Sequence, residues 1–523
     1  MIATPNRNLA EMFLDTCAKY PDKTVIQLSA KSYTYNQLLN EANTLACHLK
    51  EKGIRKGDRV AIYMDNTWPC IVSIFAITFT GAVFLIINPQ TKSDKLRYIL
   101  EDSGAKILIT DAHLKQTFYP VLNQINSVTE LYCSGNDNEI SIDTTNYHIF
   151  EDVVKEHQEC SAYERDVLGN DLAALIYTSG STGFPKGVMH THQSILFAIG
   201  SLTEYLRLDH SDKIINFLPF AFDYGLYQLF FTIYLGATLI LERSFTYPAV
   251  VYKQIQDSEV TVFPGVPTIY SMMINSHLKK PLSFPSVTRI TNTAAALPAE
   301  YVSVLQEIFP NALIYKMYGL TECKRVCYLE PELAHKHSSS VGKAIPGTEV
   351  FLLDEDGNSV PSGKEGILHV RGPHIMLGYW NKPDESEKML KEGKWPGEKI
   401  LCTHDLFKMD ENGLYYFIGR RDDIIKTRGE KVSPIEVENV LHSIKGVKDA
   451  AIIGLADDVL GEVIHAFISL NGDVDIGVND IKKVCVNKLE SFMVPAKFHI
   501  LEMLPKSTNG KIDKKILKNY LCV

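Results

Sequence analysis

Leu172-Ala173-Ala174-Leu175-Ile176-Tyr177-Thr178-Ser179-Gly180-Ser181-Thr182-Gly183-Phe184-Pro185-Lys186-Gly187 decides how this chain is read. The run Leu172 to Ile176 is uncharged and apolar, the pattern of a strand buried on both faces. It leads into a loop whose glycines let backbone amides approach a polyphosphate. The hydroxyls of Thr178, Ser179, Ser181 and Thr182 can donate to phosphate oxygens, Gly180 and Gly183 supply the turn, and Lys186 adds a positive charge. A strand entering such a loop is a nucleotide cradle. It is not the ordinary P-loop, because the G-x-x-x-x-G-K-[ST] spacing is absent and Gly187 comes directly after Lys186. A plain Gly/Ser linker would carry neither the strand before it nor the apolar run after it.

Upstream, Leu9, Phe13, Leu38, Leu39, Leu45, Ala46 and Leu49 recur at helical spacing around the alternating Tyr33-Thr34-Tyr35, which predicts helix, strand, helix. The stretch Thr67 to Thr91 has no charged residue and is long enough to span a bilayer. Gly81 divides it, however, into a helix-like half and a β-rich half, Val83 to Ile87, ended by Asn88-Pro89. A buried helix-then-strand unit is therefore expected, with no membrane span. Ile99-Leu100 and Ile107 to Thr110 continue the βα alternation of a mostly parallel sheet. Between Asp111 and Asp171 the pattern weakens into polar, Asn- and Ser-rich sequence. Beyond the loop, a helix is expected over Ser194 to Leu206, with His190 and His192 as structural residues on its approach. Strands are expected within Val260 to Tyr270 and Val287 to Ala296, and at Ala312 to Tyr315.

The chain has 523 residues, 45% of them apolar, enough for two or more cores. A net charge of -9 with scattered lysines and arginines offers no basic stripe for nucleic acid. Ten dispersed cysteines without a C-x-x-C pair point to neither a disulfide framework nor a zinc site, and so to a reducing, cytoplasmic setting. The N-terminus lacks the basic start and apolar core of a signal peptide.

Thr178-Ser179-Gly180-Ser181-Thr182-Gly183-Phe184-Pro185-Lys186-Gly187 resembles the phosphate loop of the AMP-forming adenylating enzymes: acyl- and aryl-CoA synthetases, peptide-synthetase adenylation domains and beetle luciferases. Other stretches resemble that family's motifs in the right order, from about residue 9 to 515. Tyr318-Gly319-Leu320-Thr321-Glu322 resembles its Y-G-x-T-E motif, which implies Thr321 at phosphate and Glu322 on magnesium. Thr293 to Pro298 lies where the family lines the adenine, with Ala295 in place of a glycine. His404-Asp405 resembles its G-D motif, implying Asp405 at the ribose hydroxyls, with His404 standing where the family has glycine. Gly419-Arg420-Arg421-Asp422-Asp423 resembles its hinge motif, implying Arg420 at phosphate or ribose and Asp422 as the hinge. Lys506 to Lys511 resembles its last motif, whose second lysine, Lys511, reaches the carboxylate and α-phosphate.

The resemblance implies an α/β fold: a large N-terminal domain, 1–421, of mixed, mostly parallel sheets with helices, and a small mobile α+β domain, 422–523, carrying the catalytic lysine. Within the latter, helices are expected at Ser433–Ser443 and Val478–Leu489, and strands at Val447–Ile453 and His465–Leu470. It implies adenylation of a carboxylate by ATP with Mg2+, then transfer to a thiol. Since no carrier domain fits after Lys511, a free-standing enzyme is expected. The expected acceptor is the phosphopantetheine thiol of an acyl or peptidyl carrier protein, with free CoA as the alternative. A non-catalytic nucleotide-binding protein of the same fold is the third possibility. The substrate pocket is placed at Phe222, Asp223, Tyr227, Lys324 and Arg325. Asp223, the one acid in the apolar run Ile214 to Leu241, matches the position at which amino-acid-activating members hold an ammonium, so a small amino acid is expected. Asp223 as the cap of a helix from Tyr224 is the structural alternative, as is its pairing with Lys324 or Arg325, either of which could instead receive a second substrate carboxylate.

Overall fold

The strand Val83–Ile87 shows why the uncharged stretch around it is buried rather than membrane-spanning. Phe84 and Ile86 point into one core and Val83, Leu85 and Ile87 into another, so both faces of the strand are covered. The helix before it, Trp68–Thr80, has 13 residues, about 20 Å, too short for a bilayer of about 30 Å. Gly81 closes that helix at φ +73°, and Ser73 and Thr78 bond the carbonyls of Pro69 and Ile74, each at 2.7 Å. No described helix is long and apolar enough to cross a membrane. The computed structural model describes residues 6–135, 145–156, 163–178, 185–293, 297–427, 430–457, 461–471, 476–489, 491–507 and 511–520.

Two large sheets dominate. The seven-stranded one runs Asn146–Ile149, Glu130–Ser134, Ile107–Asp111, Arg59–Tyr63, Val83–Ile87, Leu172–Thr178, Lys186–Thr191, all parallel neighbours except the last pair. The nine-stranded one has a parallel centre that includes Lys213–Asn216, Thr238–Leu241, Val262–Gly265, Arg289–Asn292 and Leu313–Tyr318. Their main common core also takes in the helices Tyr35–Glu51, Trp68–Thr80 and Asp223–Leu235. Next in the chain is a five-stranded antiparallel sheet containing Glu365–Arg371, Lys399–Met409 and Tyr415–Arg420. The last sheet, built on the hairpin Val447–Asp457 and Gly461–Leu470, has its own core of Val437, Ile452, Ile468 and Ile481.

The helix, strand, helix expected at the N-terminus are Leu9–Lys19, Ser32–Thr34 and Tyr35–Glu51, with an additional strand at Thr24–Gln27. The helices expected near the other end are Pro434–His442 and Val478–Lys488. Two segments differ from expectation. The polar region after Asp111 contributes the strands Glu130–Ser134 and Asn146–Ile149, because tertiary pairing onto an existing edge buries residues of weak local pattern. Val260 to Tyr270 holds a short strand and then a helix opened by Pro267, a proline whose fixed φ suits the first helical turn. Cys47 is disulfide-bonded while seven described cysteines are free and buried, a crosslink that dispersed spacing does not announce.

Candidate active site

Strands of the nine-stranded sheet lead into the turn that carries Thr321, Glu322, Lys324 and Arg325 and into the helix that begins at Asp223. The strand Leu313–Tyr318 runs into Gly319, where the chain doubles back so tightly that a Cβ would collide with the Lys324 carbonyl and lie 2.9 Å from Arg325 Cα. Lys324 completes the turn at φ +61°, and Val326 N–H bonds the Tyr318 carbonyl at 2.9 Å. The turn thereby leaves Thr321 and Glu322 partly exposed and tucks Lys324 and Arg325 into the interior. The Tyr379 hydroxyl donates to Glu322 Oε1 at 2.6 Å. Tyr379 also lies under the Lys186 ammonium, 5.1 Å from the ring centre, and Lys186 is paired with Glu385 at 2.5 Å. Thr178 and Lys186 face each other across the hairpin that leads into and out of the phosphate loop. Ser179, Gly180, Ser181, Thr182 and Gly183 of that loop, and Ala295, lie outside the described residues.

Asp405 is placed opposite Arg420 by the pairing of Lys399–Met409 with Tyr415–Arg420, Oδ1 to Nε 3.8 Å. The Tyr318 hydroxyl donates to its Oδ2. Burial raises the carboxyl, and Glu322 adds to that, outweighing Tyr318, Arg420 and Lys511 to bring it to about 6. His404 adopts φ +56°, a left-handed conformation that explains why glycine suits the position. Lys511 is exposed at the surface, yet enough protein lies around it to desolvate its ammonium. Its ammonium is depressed first by desolvation and then by Arg420, against Asp223, Asp405 and Glu322. Those three acids and Arg420 are thus gathered around one lysine from the C-terminal region. Asp422 lies in the short 3-10 turn Arg421–Asp423 between the last strand of one sheet and the first of the next.

Asp223 opens the helix Asp223–Leu235 as its first residue, and Phe222, its N-cap, makes no side-chain capping bond. The expected alternative of Asp223 as the cap is therefore corrected: its carboxylate turns to Lys324, 3.2 Å away, because a buried cation is the stronger partner. Lys324 sits over the rings of Tyr227, 4.4 Å from its centre, and of Tyr224 at 5.5 Å. Tyr224 donates to the Thr291 carbonyl at 2.8 Å. Arg325 donates to the Thr293 hydroxyl.

His190 and His192 are buried, and desolvation lowers each to about 4, so both are neutral. The ring nitrogen of His192 accepts from Leu9 N–H at 3.3 Å, a structural task. His190 instead bonds the backbone of Thr321 beside Asp223 and Lys324, a proximity that sequence spacing did not reveal. Tyr379 and Glu385 were missed too, since only folding carries them to Glu322 and Lys186. A cleft of about 680 Å3, lined by Tyr33, Trp68, Asp111 and Arg243 among others, holds none of the candidate site residues, so chemistry rather than volume locates the site. Asp65, Asp111 and His113 at that cleft bring ligand atoms within 4.8 Å of one another.

A family model described as AMP-binding enzyme matches residues 13–380, and one for the AMP-binding enzyme C-terminal domain matches 436–511. A long-chain-fatty-acid–CoA ligase of Bacillus subtilis (strain 168) is 30% identical over 98% of this chain and 94% of its own length. Gramicidin S synthase 2 of Brevibacillus brevis is 29% identical over 98% of this chain, which spans 11% of that protein. The solved structure of the anthranilate CoA ligase AuaEII in complex with anthranoyl-AMP superposes with a TM-score of 0.90 at 25% identity, covering 99% of this chain and 98% of the other.

Proposed function

The chain belongs to the AMP-binding enzyme family, and from that premise we propose that it is an ATP-dependent, AMP-forming ligase joining a small organic acid to the thiol of CoA. The observation that carries this reading is that Glu322, Asp405 and Arg420, from two sheets, all act on the charge of Lys511 from the C-terminal region. A protein of this fold that only bound nucleotide would have no use for Lys511 among those groups.

In the first half-reaction a carboxylate oxygen attacks the α-phosphorus of ATP and pyrophosphate leaves, forming an acyl-adenylate. In the second, a thiolate attacks the acyl carbon and AMP leaves. Both anionic reactants repel each other, so charge neutralisation and positioning dominate the barrier. Lys511 places its ammonium between the incoming carboxylate and the α-phosphate. Asp405 accepts the ribose hydroxyls, Arg420 adds charge beside them, and Thr178, Thr321 and Lys186 hold phosphate oxygens. Glu322 offers a hard oxygen ligand, with Oε1 oriented by Tyr379, of the kind Mg2+ takes; the ion would shield the triphosphate. With the domain boundary at 421/422, rotation about Asp422 withdraws Lys511 and opens a path for the thiol.

CoA is favoured as acceptor because relatives matched over their full length are named CoA ligases, whereas the peptide synthetases are matched over a small part. The amino-acid reading rests on Asp223, whose side chain is 22% exposed but is already paired with Lys324. ATP–pyrophosphate exchange over a panel of acids, each tested with and without an α-amino group, followed by thioester detection with CoA and with a holo carrier protein, decides between these. Exchange confined to amino acids, with thioester formed only on the carrier, would replace the CoA reading. Absence of exchange with every acid would sink the ligase reading altogether.

A further inference from the structure

Lys324 and Arg325 are each 2% exposed, and Arg325 is among the largest fully buried side chains of the molecule. Burying one cation is costly without an anion, and two side by side need more compensation. Asp223 is the one carboxylate that acts on Lys324 among the described residues, while Arg325 opposes it. The neighbouring histidine, His190, is neutral. One carboxylate therefore serves two basic side chains. Arg325 has five N–H donors, bonds the Thr293 hydroxyl, and leaves its buried Nε without a partner among the described residues. A small cavity of about 10 Å3, room for about one water, is lined by Tyr224, Gln228, Thr291, Met317, Lys324 and Arg325. Its remaining wall is apolar, from Leu202, Leu206 and Phe231.

We propose that Lys324 and Arg325 form a subsite for a second anionic group on the acid, so that the substrate is a short dicarboxylic acid. One carboxylate is adenylated in the cleft and the other is held by Arg325. This rests on the ligase reading above. One carboxylate for two basic side chains leaves scope for a second anion, the unsatisfied guanidinium supplies directional donors, and the space beside them, with room for about one water, leaves none for an alkyl tail. Desolvation, reinforced by Arg325, depresses the Lys324 ammonium to about 7 despite Asp223, the behaviour of a cation whose compensation is incomplete.

The test measures kcat/KM for ATP-dependent pyrophosphate release with diacids of three to six carbons, with their neutral monoamides, and with alkyl and aromatic monoacids. Wild type should prefer a diacid over its own monoamide by about 10²-fold or more, because a site built for a polar group rejects the analogue that leaves it unpaired. Arg325→Met should collapse that ratio to near unity while the KM for ATP stays put, and Arg325→Lys should keep part of it. The wild-type ratio stands even if Arg325→Met fails to fold. Equal or better rates with the monoamide, or with monoacids alone, overturn the subsite and leave the ligase reading intact. No release with any acid overturns both.

Discussion

Replacing Asp405 by Asn separates what the carboxylate does for nucleotide binding from what its burial costs the fold. Desolvation is the main cause of its rise, opposed by the Tyr318 hydroxyl, Arg420 and Lys511, and the result is about 6 against an ordinary 3.8. The folded-state value lies above the unfolded one, so the folded protein holds this proton more tightly. The stabilisation is full below about pH 4 and is lost as pH rises through about 6. A difference of about 2 units is about 3 kcal/mol, an order-of-magnitude figure for a side chain 10% exposed. Asn keeps an acceptor for Tyr318 and has no charge to bury. In urea titrations, Asp405→Asn and wild type should unfold together at pH 4, and the variant should be the more stable by up to about 3 kcal/mol at pH 7. Its kcat/KM for ATP should nevertheless fall about 10²-fold, since an amide cannot accept from two ribose hydroxyls as a carboxylate does. Wild-type kcat/KM for ATP should itself drop about tenfold between pH 7 and pH 5, as the ionised fraction goes from about nine-tenths to about one-tenth. A variant less stable than wild type at pH 7, or a stability gap that ignores pH, would refute burial as the cause.

Lys511→Ala should lower adenylate formation by about 10²–10³ while the protein stays folded and thioester formation from pre-made adenylate survives; undiminished pyrophosphate exchange would remove Lys511 from the chemistry. Gly319→Ala should disturb the turn that carries Thr321 and Glu322, because its Cβ has no room beside Lys324 and Arg325, with loss of both stability and adenylation; a variant indistinguishable in Tm and rate would show the turn to be less tight. Burial pushes the Cys402 thiol up, but His369 and His404 outweigh it and bring the group to about 5. Iodoacetamide, with peptide mass spectrometry as the readout, should therefore label Cys402 at a rate that is flat above about pH 6 and falls below pH 5. A rate climbing tenfold per unit through pH 8 would contradict the thiolate.

Much of the architecture was legible because it is written locally. Gly81 and Asn88-Pro89 punctuate the uncharged stretch, and period-2 burial of Val83 to Ile87 comes from an unbroken apolar strand. Asp405, Arg420 and Glu322 could be nominated because the few residues around each resemble a family motif; taken singly, each would read as a solvated surface charge. The polar segment after Asp111 was not legible, since its strands exist by pairing with an edge already formed.

The pairing of charges lay beyond the sequence. Asp223 and Lys324 are a hundred residues apart, and sequence alone allowed the acid to cap a helix, grip an ammonium or meet either neighbouring cation. Only the doubling back of the chain at Gly319, with Lys324 forced into a left-handed turn, drives that lysine beneath the helix Asp223–Leu235 and buries Arg325 behind it. Residue type and spacing determined that the chain would cradle a nucleotide. Which charges meet around Asp223 was decided by tertiary packing, because Coulomb interaction and desolvation depend on distance and burial in three dimensions.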